Sequence, residues 1–323
     1  MILIVTLNPL LERRFLLDKI NFGSVNHCNF SSIALGGKGL NVSRQLKKLG
    51  IKSFNFFFSG GANGKLFREL AKNSGLEFTH VQTKSETRHA AVIIAEEKKQ
   101  VTTFFSENSE ITESEANEFK SKLDKMIQNC EVVVFAGSSP SETTNPIFPY
   151  GIRLANKYDK ISICDTYGQH LKECIESSPT MIHNNFNEIE TSLKIKLQTE
   201  NNVREFLNGC YKKDIKRVFL TNGNKEFYAS NFDYHYKIYP INISESDATG
   251  SGDCFTAGVI YEWMISEVFE ETLKYSTALA GLNASKFSVA EIEPEEIYNY
   301  KDQARISAVG KKAKIIDDSP HEI

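Results

Sequence analysis

The chain opens on Met1-Ile2-Leu3-Ile4-Val5-Thr6-Leu7, an unbroken apolar run of strand length, and similar runs return at residues 54–58, 132–135, 161–164 and 218–220. A strand apolar on both faces must be covered on both faces, which is the condition inside a parallel sheet. Gly, Asn, Asp or Ser follows each run closely and marks the loop at the strand end. The intervening stretches read as helices. Residues 41–49 are closed by Gly50, residues 65–73 have Gly75 just beyond, and Thr112 with Glu115 forms a capping box ahead of Phe119, Leu123 and Met126. Strands alternating with helices predict an α/β fold: a doubly wound, mostly parallel sheet flanked by helices, with ligands at the carboxyl ends of its strands.

Two segments break that rhythm. Residues 12–35 and 89–106 are extended, β-branched or aromatic without helical periodicity, and the second reads as a hairpin around Glu96-Glu97-Lys98-Lys99. Together they predict a small β-sheet lid on one domain spanning residues 1–305. Residues 306–323 are polar, with Lys311-Lys312 and Asp317-Asp318, and are expected to form a flexible tail. With 38 basic and 41 acidic side chains the net charge is only −3, so no long-range field draws in polyanions, and nucleic acid or an anionic membrane is excluded as the main partner. An anion bound here must be held locally. The first residues lack a basic leader and are interrupted by Asn8-Pro9, no run reaches the eighteen or so residues of a membrane span, and the six cysteines contain no CxxC pair. These features predict a cytoplasmic protein with reduced thiols and no zinc site.

The segment Asp247-Ala248-Thr249-Gly250-Ser251-Gly252-Asp253 precedes Cys254, Ala257, Gly258, Tyr261 and Ile265 at helical spacing. Small residues at a helix start let backbone N–H groups close on an anion, which the helix dipole also favours. Asp253 falls in the first turn, where an ionised carboxylate can take a proton from a hydroxyl beside that cradle. The rival reading is a plain turn with Asp253 as a cap. The segment Gly36-Gly37-Lys38-Gly39-Leu40-Asn41-Val42-Ser43 has the same character, with Lys38 and Asn41 offering a charge and an amide. Its rival is a lid hinge. No GxxxxGK followed by Ser or Thr occurs, and Gly250-x-Gly252 lacks the third glycine of a dinucleotide fingerprint.

Residues 36–43 and 247–253, in this order at opposite ends of the chain, resemble the two signatures of the PfkB (ribokinase-like) carbohydrate kinases. The resemblance covers roughly residues 2–305. Thr87-Arg88, Ala136-Gly137-Ser138-x-Pro140, Asp165-Thr166-x-Gly168 and Asn185-x-x-Glu188 fit in register, and Thr6-Leu7-Asn8-Pro9 is similar to the 1-phosphofructokinase and tagatose-6-phosphate kinase branch. The resemblance implies transfer of the γ-phosphoryl of ATP to a sugar hydroxyl, with Asp253 as base and Gly250, Ser251 and Gly252 as the anion hole. It implies nucleotide contacts at Asn185, Thr221, Gly223, Gly250 and Gly252, and Mg2+ with ATP at Asn185 and Glu188. At the sugar end it implies Glu12, Gly37, Lys38, Asn41, Arg88 and Ser138, with Lys38 and Arg88 for a phosphate already on the acceptor.

The expected reaction is phosphorylation of a ketohexose phosphate, fructose 1-phosphate to fructose 1,6-bisphosphate. The alternatives are tagatose 6-phosphate, fructose 6-phosphate, another sugar, or a non-catalytic sugar-phosphate sensor. Lid edges are expected to pair two copies into a homodimer. Three positions depart from the branch: Glu12 replaces its usual Asp, His27 an arginine, and His183 the lysine before the metal motif. The two histidines exchange permanent cations for groups that ordinarily titrate near pH 6.5.

Overall fold

The computed structural model describes residues 1–98 and 100–309. In chain order the first half contains β1 (Ile2–Thr6), β2 (Leu10–Leu17), β3 (Phe30–Gly36), α1 (Lys38–Lys48), β4 (Ser53–Gly60), α2 (Gly61–Asn73), β5 (Glu77–Thr83), β6 (His89–Ala95), β7 (Gln100–Phe105) and α3 (Glu113–Gln128). Then come β8 (Val132–Gly137), α4 (Ile147–Lys157), β9 (Ile161–Thr166), α5 (Leu171–Glu176), β10 (Met181–Asn185), α6 (Phe186–Leu193), α7 (Glu200–Tyr211) and β11 (Arg217–Thr221). The last elements are β12 (Phe227–Asn231), β13 (Tyr234–Tyr239), α8 (Ser251–Met264), α9 (Phe269–Ala284), α10 (Pro294–Tyr300) and β14 (Arg305–Val309).

Ten strands form the main sheet in the order β14-β13-β12-β11-β10-β9-β8-β1-β4-β5. The pairs from β5 through β11 are parallel, while β12, β13 and β14 add an antiparallel edge. All five apolar runs read from the sequence are strands of this sheet, and β1 and β8 are buried along their whole length because helices cover both faces. Phe56 and Phe119, on β4 and α3, stack at 3.8 Å on one of those faces. From β1 the chain winds outward through β4 and β5, and from β8 through β9, β10 and β11. The order reverses between β1 and β8, and a crevice opens at such a switch point above the carboxyl ends of the strands.

The lid is a separate four-stranded sheet, β3-β2-β6-β7, with β2 and β6 parallel and the outer pairs antiparallel. The segments expected to form it do so, and β2 begins slightly earlier than the sequence suggested. The expected tail is corrected at its start: residues 305–309 form the edge strand β14 on β13, because Ile306 faces the core beside Ile238. The remainder of that expectation, residues 310–323, lies outside the described residues. Among the described residues no helix is long and apolar enough to cross a membrane.

At the start of α3 the capping box is complete, with the Glu115 N–H donating to the Thr112 hydroxyl and the Thr112 N–H to Glu115. Thr112→Ala is expected to cost about 1 kcal/mol of stability, read as a lower urea midpoint with an unchanged slope.

Candidate active site

Three chain segments meet at the switch point. Gly37 follows the lid strand and caps α1 at φ 114, a backbone conformation that a side chain would strain. The next turn carries Lys38 and Asn41 three residues apart, on one face of the helix. From the other end of the chain, Gly250 takes a left-handed backbone at φ 76 and opens α8, placing Ser251, Gly252 and Asp253 in its first turn. A Cβ on Gly250 would lie 2.3 Å from Val289, 3.4 Å from the Asn41 amide and 3.7 Å from Asp253, so only glycine fits beside the carboxylate.

Asp253 is 5% exposed and accepts a hydrogen bond from Asn41 Nδ2 at 2.7 Å. No side chain caps α8, so the capping alternative for Asp253 is not what the structure adopts. Burial, joined by the Asp165 carboxylate, pushes the Asp253 carboxyl up to about 7, against the opposing pull of Lys38, the Asn41 amide and His183. A carboxylate poised near neutrality is matched to removing a hydroxyl proton.

Beneath it lies a buried ion cluster. Lys38 Nζ donates to Asp165 Oδ1 at 2.8 Å and to Glu188 Oε1 at 2.6 Å. Asp165 Oδ2 accepts from the Thr256 hydroxyl at 2.8 Å and lies 3.1 Å from His183 Nδ1. Burial alone would raise Asp165, but Lys38 and His183 hold its carboxyl well below the usual range. Burial alone would also favour the neutral amine of Lys38; Asp165, Glu188 and Asp253 outweigh it and fix the ammonium. His183 stacks on Phe255, and its ring lies 3.0 Å from where a Cβ of Gly252 would stand. The histidine thus supports the glycine loop from below.

Glu188 also accepts from the Asn185 N–H and the Asn184 amide, while Asn185 Oδ1 caps α6 by accepting from the Glu188 N–H. The motif thus forms a complete capping box at the start of α6. Asn184 Oδ1 is buried without a partner at the same corner. Glu188 is the carboxylate that would face a magnesium ion arriving on a nucleotide and keeping most of its waters, and its oxygens here accept from Lys38, Asn184 and Asn185. Asn185 spends its side-chain oxygen on the cap. Thr221 ends β11 with its hydroxyl 3.4 Å from His183 Nε2, and Gly223, at φ 60, forms the turn beyond.

The sugar-end candidates divide into two further groups. Arg88 donates to the Asn8 carbonyl at 3.1 Å and to Asn108 Oδ1 at 3.3 Å, lies over the Phe105 ring, and keeps Nε buried without a partner. Asn8 Nδ2 donates to both Asn108 Oδ1 and Ser138 Oγ at 3.0 Å. Ser138 also edges a recess of about 230 Å³ bounded by Tyr167 and His170. Glu12 stands apart, accepting from Arg14 on β2. Lys38, expected on an acceptor's phosphate, donates here to the buried Asp165 and the partly buried Glu188.

Sequence reasoning assigned no role to Asp165, Thr256, Asn8, Asn108 or Arg14. Asp165 carried a usable signal, a carboxylate directly after an apolar strand run. Arg14 and Asn108 carried none, since Asp247, Asn8 and Arg88, the partners that place them at the site, are distant in the sequence.

The model of the pfkB family carbohydrate kinases matches residues 8–296. The chain belongs to that family. The tagatose-6-phosphate kinase of Staphylococcus epidermidis is a pfkB relative 31% identical over 301 residues, covering 92% of this chain and 96% of its own. The possible 1-phosphofructokinase of Thermotoga maritima shares the fold at a TM-score of 0.88 with 22% identity, covering 96% of this chain and 99% of that one. Phosphofructokinase-2 of Escherichia coli, solved with substrates and products, gives 0.83 with 19% identity over 93% of this chain and 98% of its own. The pfkB architecture expected from the two glycine-rich segments is thus the architecture observed.

Proposed function

We propose that this chain transfers the γ-phosphoryl of ATP to a hydroxyl of a ketohexose phosphate. The observation that carries the reading is Asp253: a buried carboxylate raised toward neutrality, held by an uncharged amide and placed against the glycine loop at the switch point. Phosphoryl transfer spreads charge over the equatorial oxygens, so aligned N–H donors lower the barrier more than covalent chemistry does. The Gly250 and Gly252 amides lie where such a cradle would form, at the positive end of α8, while the Ser251 N–H donates to the Ala248 carbonyl at 3.1 Å. Asp253 removes the acceptor hydroxyl's proton, and Asn41 orients the carboxylate without competing for it. Magnesium, bound with ATP and facing Glu188, would neutralise phosphate charge during transfer.

Arg88 is the anchor for the acceptor's own phosphate, since burial lowers its pKa from the ordinary value and leaves one donor unmet. Arg88→Ala is expected to raise KM for the sugar phosphate at least tenfold, with KM for ATP within about twofold. Equal effects on both substrates would remove that role. Two acceptors lead. Fructose 1-phosphate follows from the Thr6-Leu7-Asn8-Pro9 resemblance, and tagatose 6-phosphate is favoured by the 31% identical relative. Steady-state turnover of fructose 1-phosphate, tagatose 6-phosphate, fructose 6-phosphate and the free hexoses, each with ATP and Mg2+, tests the reading. Preference for a neutral sugar over every phosphate would overturn it, and no turnover at all would favour the sensor. The lid's exposed Phe30, Ile33, Phe104 and Phe105 support pairing of two copies through this sheet.

A further inference from the structure

Glu12 and Arg14 lie two residues apart on β2 and share one face of the lid strand. Arg14 is 8% exposed, and its guanidinium forks between two carboxylates. Nη1 donates to Glu12 Oε2 at 3.2 Å, and Nη2 donates to Asp247 Oδ2. The second oxygen of Asp247, Oδ1, accepts the N–H of Thr249 at 2.9 Å, one residue before Gly250. On its other side the same loop is tied to α9, where Ala284 accepts the N–H groups of Ser246 and Asp247 and Asn283 donates to the Thr249 carbonyl and the Ser251 hydroxyl. The loop that delivers the anion hole is thus held between the main domain and a single lid arginine that also touches a candidate sugar contact.

We propose that Arg14 is a positioning residue, setting the Thr249–Gly250 backbone through Asp247 and linking that setting to occupancy of Glu12. The proposal rests on the phosphoryl-transfer reading above. One guanidinium hydrogen-bonds two buried carboxylates, with Arg44 the next cation acting on Glu12, so each carboxylate competes for the fork. A sugar hydroxyl donating to Glu12 relieves that competition, and the guanidinium then bears more fully on Asp247. Glu12, Arg14 and Arg44 also border a cavity of about 540 Å³ between the lid and residues 287–291. Lysine could not replace the device, since a point charge cannot span both partners.

The test uses Arg14→Met, Arg14→Lys, Asp247→Asn and the Arg14→Met/Asp247→Asn double variant in the full chain. Arg14→Met is expected to lower kcat about 10- to 100-fold, the scale of small misplacements at a transferring group, while KM for ATP stays within about twofold. Arg14→Lys falls between it and the parent, and the double variant is no slower than the worse single one. Adding guanidinium at low millimolar concentration to Arg14→Ala restores part of kcat. A fall in melting temperature with kcat unchanged, or additive losses in the double variant, would overturn the role.

Amide hydrogen exchange of the ligand-free protein gives a readout independent of turnover. The Thr249 and Gly250 amides exchange faster in Arg14→Met if the arginine sets the loop, and unchanged exchange sinks the proposal. A parent protein inactive toward the whole acceptor panel, with exchange still responding to Arg14, would overturn the kinase reading and leave the positioning role standing.

Discussion

Asp253→Asn is expected to lower kcat by about two to four powers of ten, the range for loss of a positioned general base. The substitution keeps the shape of the side chain and an oxygen for the Asn41 amide, and it removes a charge that burial and Asp165 both oppose. Substrate KM values are therefore expected within a few-fold of the parent. Stability at pH 8 is expected to be equal or higher. The sign follows from the raised carboxyl: a group whose folded pKa lies above its unfolded value favours the folded state below the unfolded pKa and loses that contribution as pH climbs through about 7. The amide carries no such penalty. The same titration predicts that kcat/KM of the parent rises with unit slope toward about pH 7 and then levels, since the protonated carboxyl is no base. A flat profile from pH 5.5 to 8.5, or a folded Asp253→Asn variant with parental kcat, would remove Asp253 from the chemistry.

Lys38→Met is expected to cost about 3–5 kcal/mol of stability, because it leaves Asp165 and Glu188 in the interior without their cation. Asp165 is fully buried and its carboxyl is depressed, so its favourable contribution exists above the ordinary carboxylate range and fades as pH falls through the lower folded value. The gap between parent and variant therefore narrows in acid. Urea denaturation at pH 7 and at about pH 2.5, below the ordinary carboxylate range, measures it. Lys38→Met/Asp165→Asn should recover part of the loss, since the pair is coupled. The acidic limb of kcat/KM should also move to higher pH, because Lys38 is one of the groups holding Asp253 down. A limb that does not move would separate the ion cluster from the base.

What the sequence made legible follows from how local each signal is. The parallel core was visible because β1, β4, β8, β9 and β11 carry unbroken apolar runs, whereas β10 reads Met181-Ile182-His183-Asn184-Asn185 and hides its strand behind polar residues aimed at the site. The antiparallel edge was missed for a related reason: β13 and β14 mix Tyr, Lys, Arg and Ser on a half-exposed surface, and their pairing is decided by contact between distant segments. Gly37, Asn41, Gly250 and Asp253 were legible since glycine before a helix has few other uses. The orientation of Lys38 was not, because it depends on where Asp165 and Glu188 emerge once β9 and β10 lie side by side. His183 reads in the sequence only as a replacement for the branch's lysine; its ring is 3% exposed and packed on Phe255.

The proposed base arrives on α8 while its amide partner sits on α1, some two hundred residues earlier in the chain. A ribosome making this protein completes Lys38, Asp165 and Glu188 long before Asp253 emerges, so a growing chain lacks the proposed base until α8 is made. The two halves hold complementary parts of one reaction. Cut in the turn between β11 and β12, they would make a reporter whose signal requires reassembly.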